Sequence, residues 1–380
     1  MTGRAAAWRE LRNRWGVYAE VRVRGLGRRF GPRDLAPEID RIERRNRFAA
    51  LWGIENLGYR YAESERRRGE DPRRLFAAER TGELPERALP MLHAGAGLSL
   101  FRHALGRAES QRTESSPESA DPSGGSWESP LATGDLTSPE SADPSRGEAT
   151  GHGETAIGVA HLLRDTSRPG HFTAAVECLG LITRFFHPNR VREVAECITE
   201  RAPWALEPFW HGLGRCQYFL PAEMLPRRRH WRRMLDRVDR EAPAGAPRAN
   251  ALSGLAWALV LVNQRHPAVL EAFLGRHGER LDAGWRDETG NEATARDAFA
   301  SGVATACAVR EQTSPGHPVG ERFLSHRPAS SALARRWREL VVEPARWGIG
   351  ELLPRFAAEG RVSDLCRYHP PFQPGKRRSA

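Results

Sequence analysis

Several lines of this 380-residue chain set a glycine among side chains able to do chemistry. Trp52, Glu55 and Tyr59 stand around Gly53 in "LWGIENLGYRY", and His93 and Arg102 flank Gly95 in "HAGAGLSLFRH". Trp210, His211, Arg215 and Tyr218 crowd Gly212 in "WHGLGRCQYFL", and Trp257 follows Gly254 in "LSGLAWALVLV". If these lines face a common concave surface, they make an aromatic cleft carrying two histidines and one carboxylate. Trp52, Tyr59, Arg102, Trp210, Arg215, Tyr218 and Trp257 would then hold a large planar or polyunsaturated ligand. His93, His211 and Glu55 would move protons within it. The plainer reading is that tryptophan and tyrosine at helical spacing are core, and that each histidine is a satisfied buried residue.

The glycines decide what elements carry these side chains. "MLHAGAGLSLFRHALGR" has the look of a phosphate loop, yet it lacks the Gly-Lys-Ser/Thr ending and the strand before it. Lines of the same shape recur around Gly53, Gly95, Gly180, Gly212, Gly254 and Gly302, at spacings of 42, 85, 32, 42 and 48. Four of the six carry a small residue four positions on (Ser99, Cys216, Ala258, Ala306). Glycine inside a helix costs up to about 1 kcal/mol relative to alanine, so its return calls for a compensating contact. Small residues at i and i+4 give a smooth helix face along which another helix can approach. The spacing therefore predicts an all-α fold. Helix pairs, each a glycine-bearing helix followed by an amphipathic one, stack into an irregular, solenoid-like helical-repeat array. "RVREVAECITER" (190–201) and "HPAVLEAFLGRHGERL" (266–281) read as two of the amphipathic partners.

Composition bounds the rest. The net charge is +10, but the only lysine is Lys376, so 57 of the 58 cations are arginine, a skew that fits a GC-rich genome. Arginine clusters at 65–74 and 227–233 leave a nucleic-acid reading open; the acidic stretch at 108–152 weighs against it. No run of about 18 apolar residues occurs, the longest being Leu255 to Val262, and no apolar core of a signal peptide opens the chain. Five cysteines without a CxxC pair look like reduced core residues of a cytoplasmic protein. No motif implies a metal, nucleotide or other cofactor, and Gly25-Leu26-Gly27 between arginines reads as a surface turn.

Four segments are expected: an N-terminal helical part (1–107), an insert (108–152), a second helical part (153–368) and a loose basic tail (369–380). The insert repeats "SPESADPS" at 116–123 and 138–145 and has almost no aliphatic residues. Such a segment cannot bury enough surface to offset its ordering entropy and should be disordered. "VYAEVRVRGL" from Val17 alternates apolar and polar residues and fits a short strand.

Taken in order, "RGLGRRF", "LHAGAGLSL", "LGLITRFFHPNRVREVAECI", "WHGLGRCQYF", "LSGLAWAL" and "SGVATACAV" resemble a family of uncharacterised bacterial proteins found beside enediyne polyketide synthases. The likeness spans roughly 20–105 and 170–312, leaving out the insert and the segment after about 330. It implies a setting in specialised metabolism and carries over no catalytic residue. Three functions follow from these observations: a scaffold whose concave face binds a partner protein or a hydrophobic biosynthetic intermediate, a cofactor-independent enzyme on a polyene or polycyclic polyketide, or a helical-repeat reader of nucleic acid.

Overall fold

The computed structural model describes residues 3–22, 29–115, 151–223, 230–282, 284–286 and 292–370. They are almost wholly helical. The helices are α1 (Gly3–Arg22), α2 (Leu35–Arg45), α3 (Ala50–Arg67), a short α4 (Ala78–Thr81), α5 (Leu89–Ser115), α6 (Gly151–Thr166), α7 (Phe172–Phe186), α8 (Val191–Arg201) and α9 (Leu206–Phe219). They continue as α10 (His230–Glu241), α11 (Ala246–Asn263), α12 (Pro267–Leu281), α13 (Ala295–Thr313), α14 (Pro318–Leu324), α15 (Ser331–Trp337), α16 (Glu343–Trp347) and α17 (Leu353–Ala358). Two π-helical turns join the last three. The only strands among the described residues are β1 (Gly284–Arg286) and β2 (Glu292–Thr294), an antiparallel pair with Trp285 opposite Ala293.

The glycine helices form the spine. Helices α3, α5, α7, α9, α11 and α13 pack side by side in chain order, and α6, α8, α10 and α12 lie against them. Local sequence explains the division. Helix α8 buries only Val191, Val194, Ala195 and Ile198, one stripe of an amphipathic helix. Helix α11 is buried on every side from Ala249 to Asn263, as its apolar run requires.

Each contact along the spine is a glycine set against its neighbour's backbone. A Cβ on Gly95 would stand 2.6 Å from the amide nitrogen of Tyr59, and one on Gly180 2.7 Å from that of Leu213. Gly212 faces the backbone of Glu177, Gly254 that of His211, and Gly302 that of Ser253. The two-apart pairs now make sense. In α5, Gly95 meets α3 while Gly97 meets Ala175 of α7; in α9, Gly212 meets α7 while Gly214 meets Ala251 of α11. Two residues turn a helix by about 200°, so a Gly-X-Gly lets one helix touch neighbours on both sides. Gly53 differs: it faces the side chain of Ile42 on α2, and Gly58 makes the backbone contact, against Leu92. Gly348, beyond the recurring lines, repeats the device against Ala304 of α13.

The array curls until its ends meet. The guanidinium of Arg310, at the end of α13, donates to the carbonyl of Phe48 at 2.5 Å and to that of Leu261 at 3.3 Å. Ser314 Oγ donates to the carbonyl of Arg47 at 2.8 Å. Trp52 at the start of α3 packs edge-on to Trp257 of α11 and Phe219 of α9. The first and last glycine helices are thus tied together, and the inside of the curl is the core.

Three expectations need correction. Residues 17–22 are the last part of α1 and not a strand, the rest of that segment lying outside the described residues: Ala6, Glu10 and Arg14 recur every four residues and are buried, a helical period that overrides the local alternation. Residues 108–115 continue α5, and Gly151 and His152 open α6, so both edges of the expected insert are helical; its remainder, 116–150, lies outside the described residues. The chain is also fixed at His369, whose backbone N–H donates to Ser301 Oγ at 2.9 Å and whose Nε2–H donates to the carbonyl of Asp364 at 2.8 Å. Residues 371–380, like Gly25-Leu26-Gly27, lie outside the described residues.

Candidate functional site

The spine leaves a cleft of about 1050 Å³ where α1, α3, α5, α7 and α9 come together. Helix α3 contributes Trp52, Glu55, Tyr59, Arg60 and Glu63; α5 contributes Leu98, Arg102, His103 and Arg107. Leu181, Ile182, Phe185 and Phe186 come from α7, Arg215 and Phe219 from α9, and Val17 and Tyr18 from α1. The recurrence of one helical phase puts these residues together, because side chains three, four and seven apart on packed helices share a face.

Cations outnumber anions on this wall. Arg29, Arg60, Arg67, Arg102, Arg107 and Arg215 line it, against Glu55 and Glu63. Both carboxylates are committed: Glu63 to Arg66 and Arg67 at 3.2 and 3.4 Å, Glu55 to Arg215 at 2.5 Å. Arg102 donates to Tyr59 Oη at 2.8 Å and lies over the ring of Phe186, which is 38% exposed. Arg60 and Arg107 make no ion pair among the described residues, and the Nε of Arg60 is buried without a partner. His103, also on the wall, is held below its ordinary pKa by partial burial and by Arg66 and Arg107.

Beneath the cleft lies a buried charge network. Arg215 bridges Glu55 (2.5 Å) and Glu177 of α7 (3.0 Å), and Glu177 accepts from His211 Nδ1–H at 2.9 Å. The guanidinium lies over Trp257 and Trp52, 4.9 and 5.7 Å from the ring centroids. One guanidinium serves two carboxylates, and the two carboxylates differ. Burial pushes Glu55 above the ordinary carboxylate value, Arg215 notwithstanding, and the charge of Glu177 adds to the rise. Burial acts on Glu177 too, but Arg215 and His211 together outweigh it and hold that carboxyl low. Of the pair, Glu55 takes up a proton more readily, and Glu55 is the one that lines the cleft.

The structure therefore gathers Trp52, Glu55, Tyr59, Arg102 and Arg215 at the cleft, with His211 and Trp257 one layer below. It sets the others elsewhere. His93 is fully buried; its Nδ1–H donates to the carbonyl of Leu89 at 2.8 Å and its Nε2 accepts from the N–H of Arg168 at 3.2 Å. With both nitrogens engaged and its pKa lowered to about 3 by burial and the neighbouring His171, it is a neutral structural residue and no proton carrier for the cleft. Tyr218 belongs to a second network: its hydroxyl donates to Glu10 Oε1 at 2.8 Å and accepts from Asn263 at 2.7 Å, with Arg14 over its ring. Glu10 also accepts from His230 and Trp231 at 2.7 and 3.0 Å, which anchors α1 across α9, α10 and α11. Trp210 is 3% exposed, packs edge-on to Phe209 and does not line the cleft. The physical reason is helical phase. His93 sits two residues before Gly95 and Trp210 two before Gly212, about 200° away from the glycine itself.

Among the described residues the arginine clusters are largely paired. Arg66 and Arg67 pair with Glu63, and Arg68 and Arg80 with Glu65. Of the second cluster, residues 227–229 lie outside the described residues, while Arg233 stands 3.8 Å from Glu223. All five cysteines are unpaired, four of them buried.

One group had no sequence signal. Glu109 of α5, His152 of α6 and His187 after α7 bring a carboxylate oxygen and two imidazole nitrogens within 4.8 Å of one another. They lie 43 and 35 residues apart on three elements, a spacing no metal motif contains. Compared with known proteins, the chain matches no family model, no curated protein and no solved structure.

Proposed function

We propose that this protein binds an anionic, largely apolar small molecule in the cleft between α1, α3, α5, α7 and α9, as an accessory protein of bacterial specialised metabolism. The observation that carries the reading is the cleft wall: aromatic faces and arginines, with both carboxylates already paired. An apolar acid would bury its body against Trp52, Phe185, Phe186 and Phe219. Its head group would meet Arg60, half-buried with its Nε unpartnered, and the exposed Arg107, guanidinium groups being strong bidentate partners for carboxylate or phosphate. The resemblance to proteins beside enediyne polyketide synthases supports a polyene or polyketide acid as the ligand class.

The test is equilibrium binding followed by tryptophan fluorescence, using a polyunsaturated fatty acid and its alcohol as probes. The acid should bind at least tenfold more tightly than the alcohol, and the double change Arg60→Ala with Arg107→Ala should remove that preference. Equal binding of the two probes, or none of either, sinks the proposal.

A second reading, cofactor-independent proton transfer, rests on one observation: Glu55 is raised by burial while lining the cleft above Arg215. A carboxyl so placed can protonate a bound polyene or accept a proton from it. Glu55→Gln would abolish any such turnover and leave acid binding in place.

A further inference from the structure

The group formed by Glu109, His152 and His187 lies outside the cleft wall and takes no part in the ligand reading. Helix α5 supplies Glu109 four turns after Gly95, α6 supplies His152 in its first turn, and His187 caps α7, its backbone N–H donating to the carbonyl of Thr183 at 2.8 Å. His152 Nε2 stands 3.0 Å and His187 Nδ1 2.9 Å from the same oxygen, Glu109 Oε2. The His152 side chain is 1% exposed and that of His187 11%, while that of Glu109 is 49% exposed. A buried and a partly buried imidazole thus converge on one carboxylate oxygen that is itself half exposed.

We propose that Glu109, His152 and His187 form a binding site for one divalent transition ion of the zinc class. The spacing fits: two ligand atoms each about 2.1 Å from an ion at a tetrahedral angle are roughly 3.4 Å apart. The two nitrogen–oxygen pairs, at 3.0 and 2.9 Å, need to part by only a few tenths of an ångström and the two imidazole nitrogens lie within 4.8 Å of each other, so side-chain rotation brings all three onto one ion, which takes the place of the two shared protons. The donor set chooses the ion. Imidazole nitrogens select zinc, cobalt, nickel or copper over magnesium and calcium, which take oxygen ligands. Two histidines and one carboxylate leave the fourth position to water, and the half-exposed face of Glu109 is where that water enters.

Bound metal would join three elements that the chain connects only at a distance. Glu109 and His152 come from the helices on either side of residues 116–150, so coordination would fix the end of α5 against the start of α6 and tie both to α7.

The experiment uses the full chain stripped with chelator. Zn²⁺ titrated in competition with a chromophoric chelator should bind at one equivalent, and millimolar Mg²⁺ or Ca²⁺ should not displace it. Glu109→Gln and His187→Asn should each weaken Zn²⁺ at least 100-fold while leaving the far-UV circular dichroism unchanged. X-ray absorption of the zinc-loaded wild type keeps the test independent of the variants: it should show two histidine nitrogens and no sulfur. Absence of stoichiometric binding, unchanged affinity in both variants, or a shell containing sulfur or oxygen alone overturns the site.

Discussion

Replacing Gly95 with alanine tests the packing of the spine directly. The added methyl would run into the carbonyl oxygen of Glu55 and stand 2.6 Å from the backbone nitrogen of Tyr59, where ordinary contact begins at 3.4 Å, so α3 and α5 must separate by more than about 0.8 Å. A gap of 0.5–1 Å forfeits roughly a quarter to a half of the dispersion energy along the seam, and overpacking of a rigid core costs about 1–3 kcal/mol. The obstruction is main chain and no side-chain rotation relieves it, which puts the cost near 3 kcal/mol. Alanine returns up to about 1 kcal/mol of helix propensity, leaving a net loss of about 2 kcal/mol. Gly158, exposed in α6 with nothing within 4 Å of its would-be Cβ, supplies the control: Gly158→Ala should gain up to about 1 kcal/mol. Urea unfolding followed at 222 nm reads both. If Gly95→Ala is as stable as the parent, the glycines are not there for close approach and the explanation of the repeat fails.

Arg215→Met removes the one cation between Glu55 and Glu177 and should cost about 3–5 kcal/mol in the same assay, since two buried carboxylates are left facing each other; adding Glu55→Gln and Glu177→Gln should recover most of the loss, and a harmless single change would show the network to be incidental. Acid should lower the stability of the fold in two stages. His93 is depressed to about 3, so its contribution is complete above its ordinary value of 6.5 and drains away as pH falls toward 3; Glu10 is depressed to about 2, so its contribution is complete above 4.5 and drains away below that. Midpoints of urea unfolding measured from pH 7 to pH 3 should decline from about pH 6.5 and more steeply from about 4.5, and a flat profile to pH 4 would contradict both assignments. Phe186→Ala should weaken binding of the polyunsaturated acid several-fold with little effect on stability, because the ring is 38% exposed and covers the ligand more than the core.

The spine was readable because its cause is local: a glycine that must meet a backbone recurs with the helix that carries it. The lines around those glycines also carry Trp52, Glu55, Tyr59, Arg102 and Arg215, which face the cleft. The same reading misplaced His93, Trp210 and Tyr218, which share those lines but point along other phases, and a glycine in a sequence does not say which side is inward. Gly53 and Gly58 show the same limit: the recurring line centres on Gly53, yet Gly58, with Ala62 four positions on, is the one set against the backbone of Leu92. Glu10 and Arg14 gave no sign of their role, because a buried ion pair at i and i+4 looks like any surface pair until its surroundings are known. The group of Glu109, His152 and His187 was beyond reach for a different reason: its members meet only through the packing of α5, α6 and α7, on a scale longer than any motif.

The tie between the two ends of the curl also sets an order of events during synthesis. Arg310 reaches back 262 residues to Phe48, and Ser314 reaches back 267 to Arg47. At about 5–20 residues per second, a ribosome that has made Phe48 needs roughly 13–50 s more to make Arg310. Through that interval each glycine helix can dock on the one before it as it emerges, while the start of α3 waits with Trp52 uncovered on the side that α11 and α9 will fill. The early helices must persist as a half-built stack that exposes this aromatic edge until α9 and α11 are made, and whose ends stay untied until the last quarter of the chain arrives.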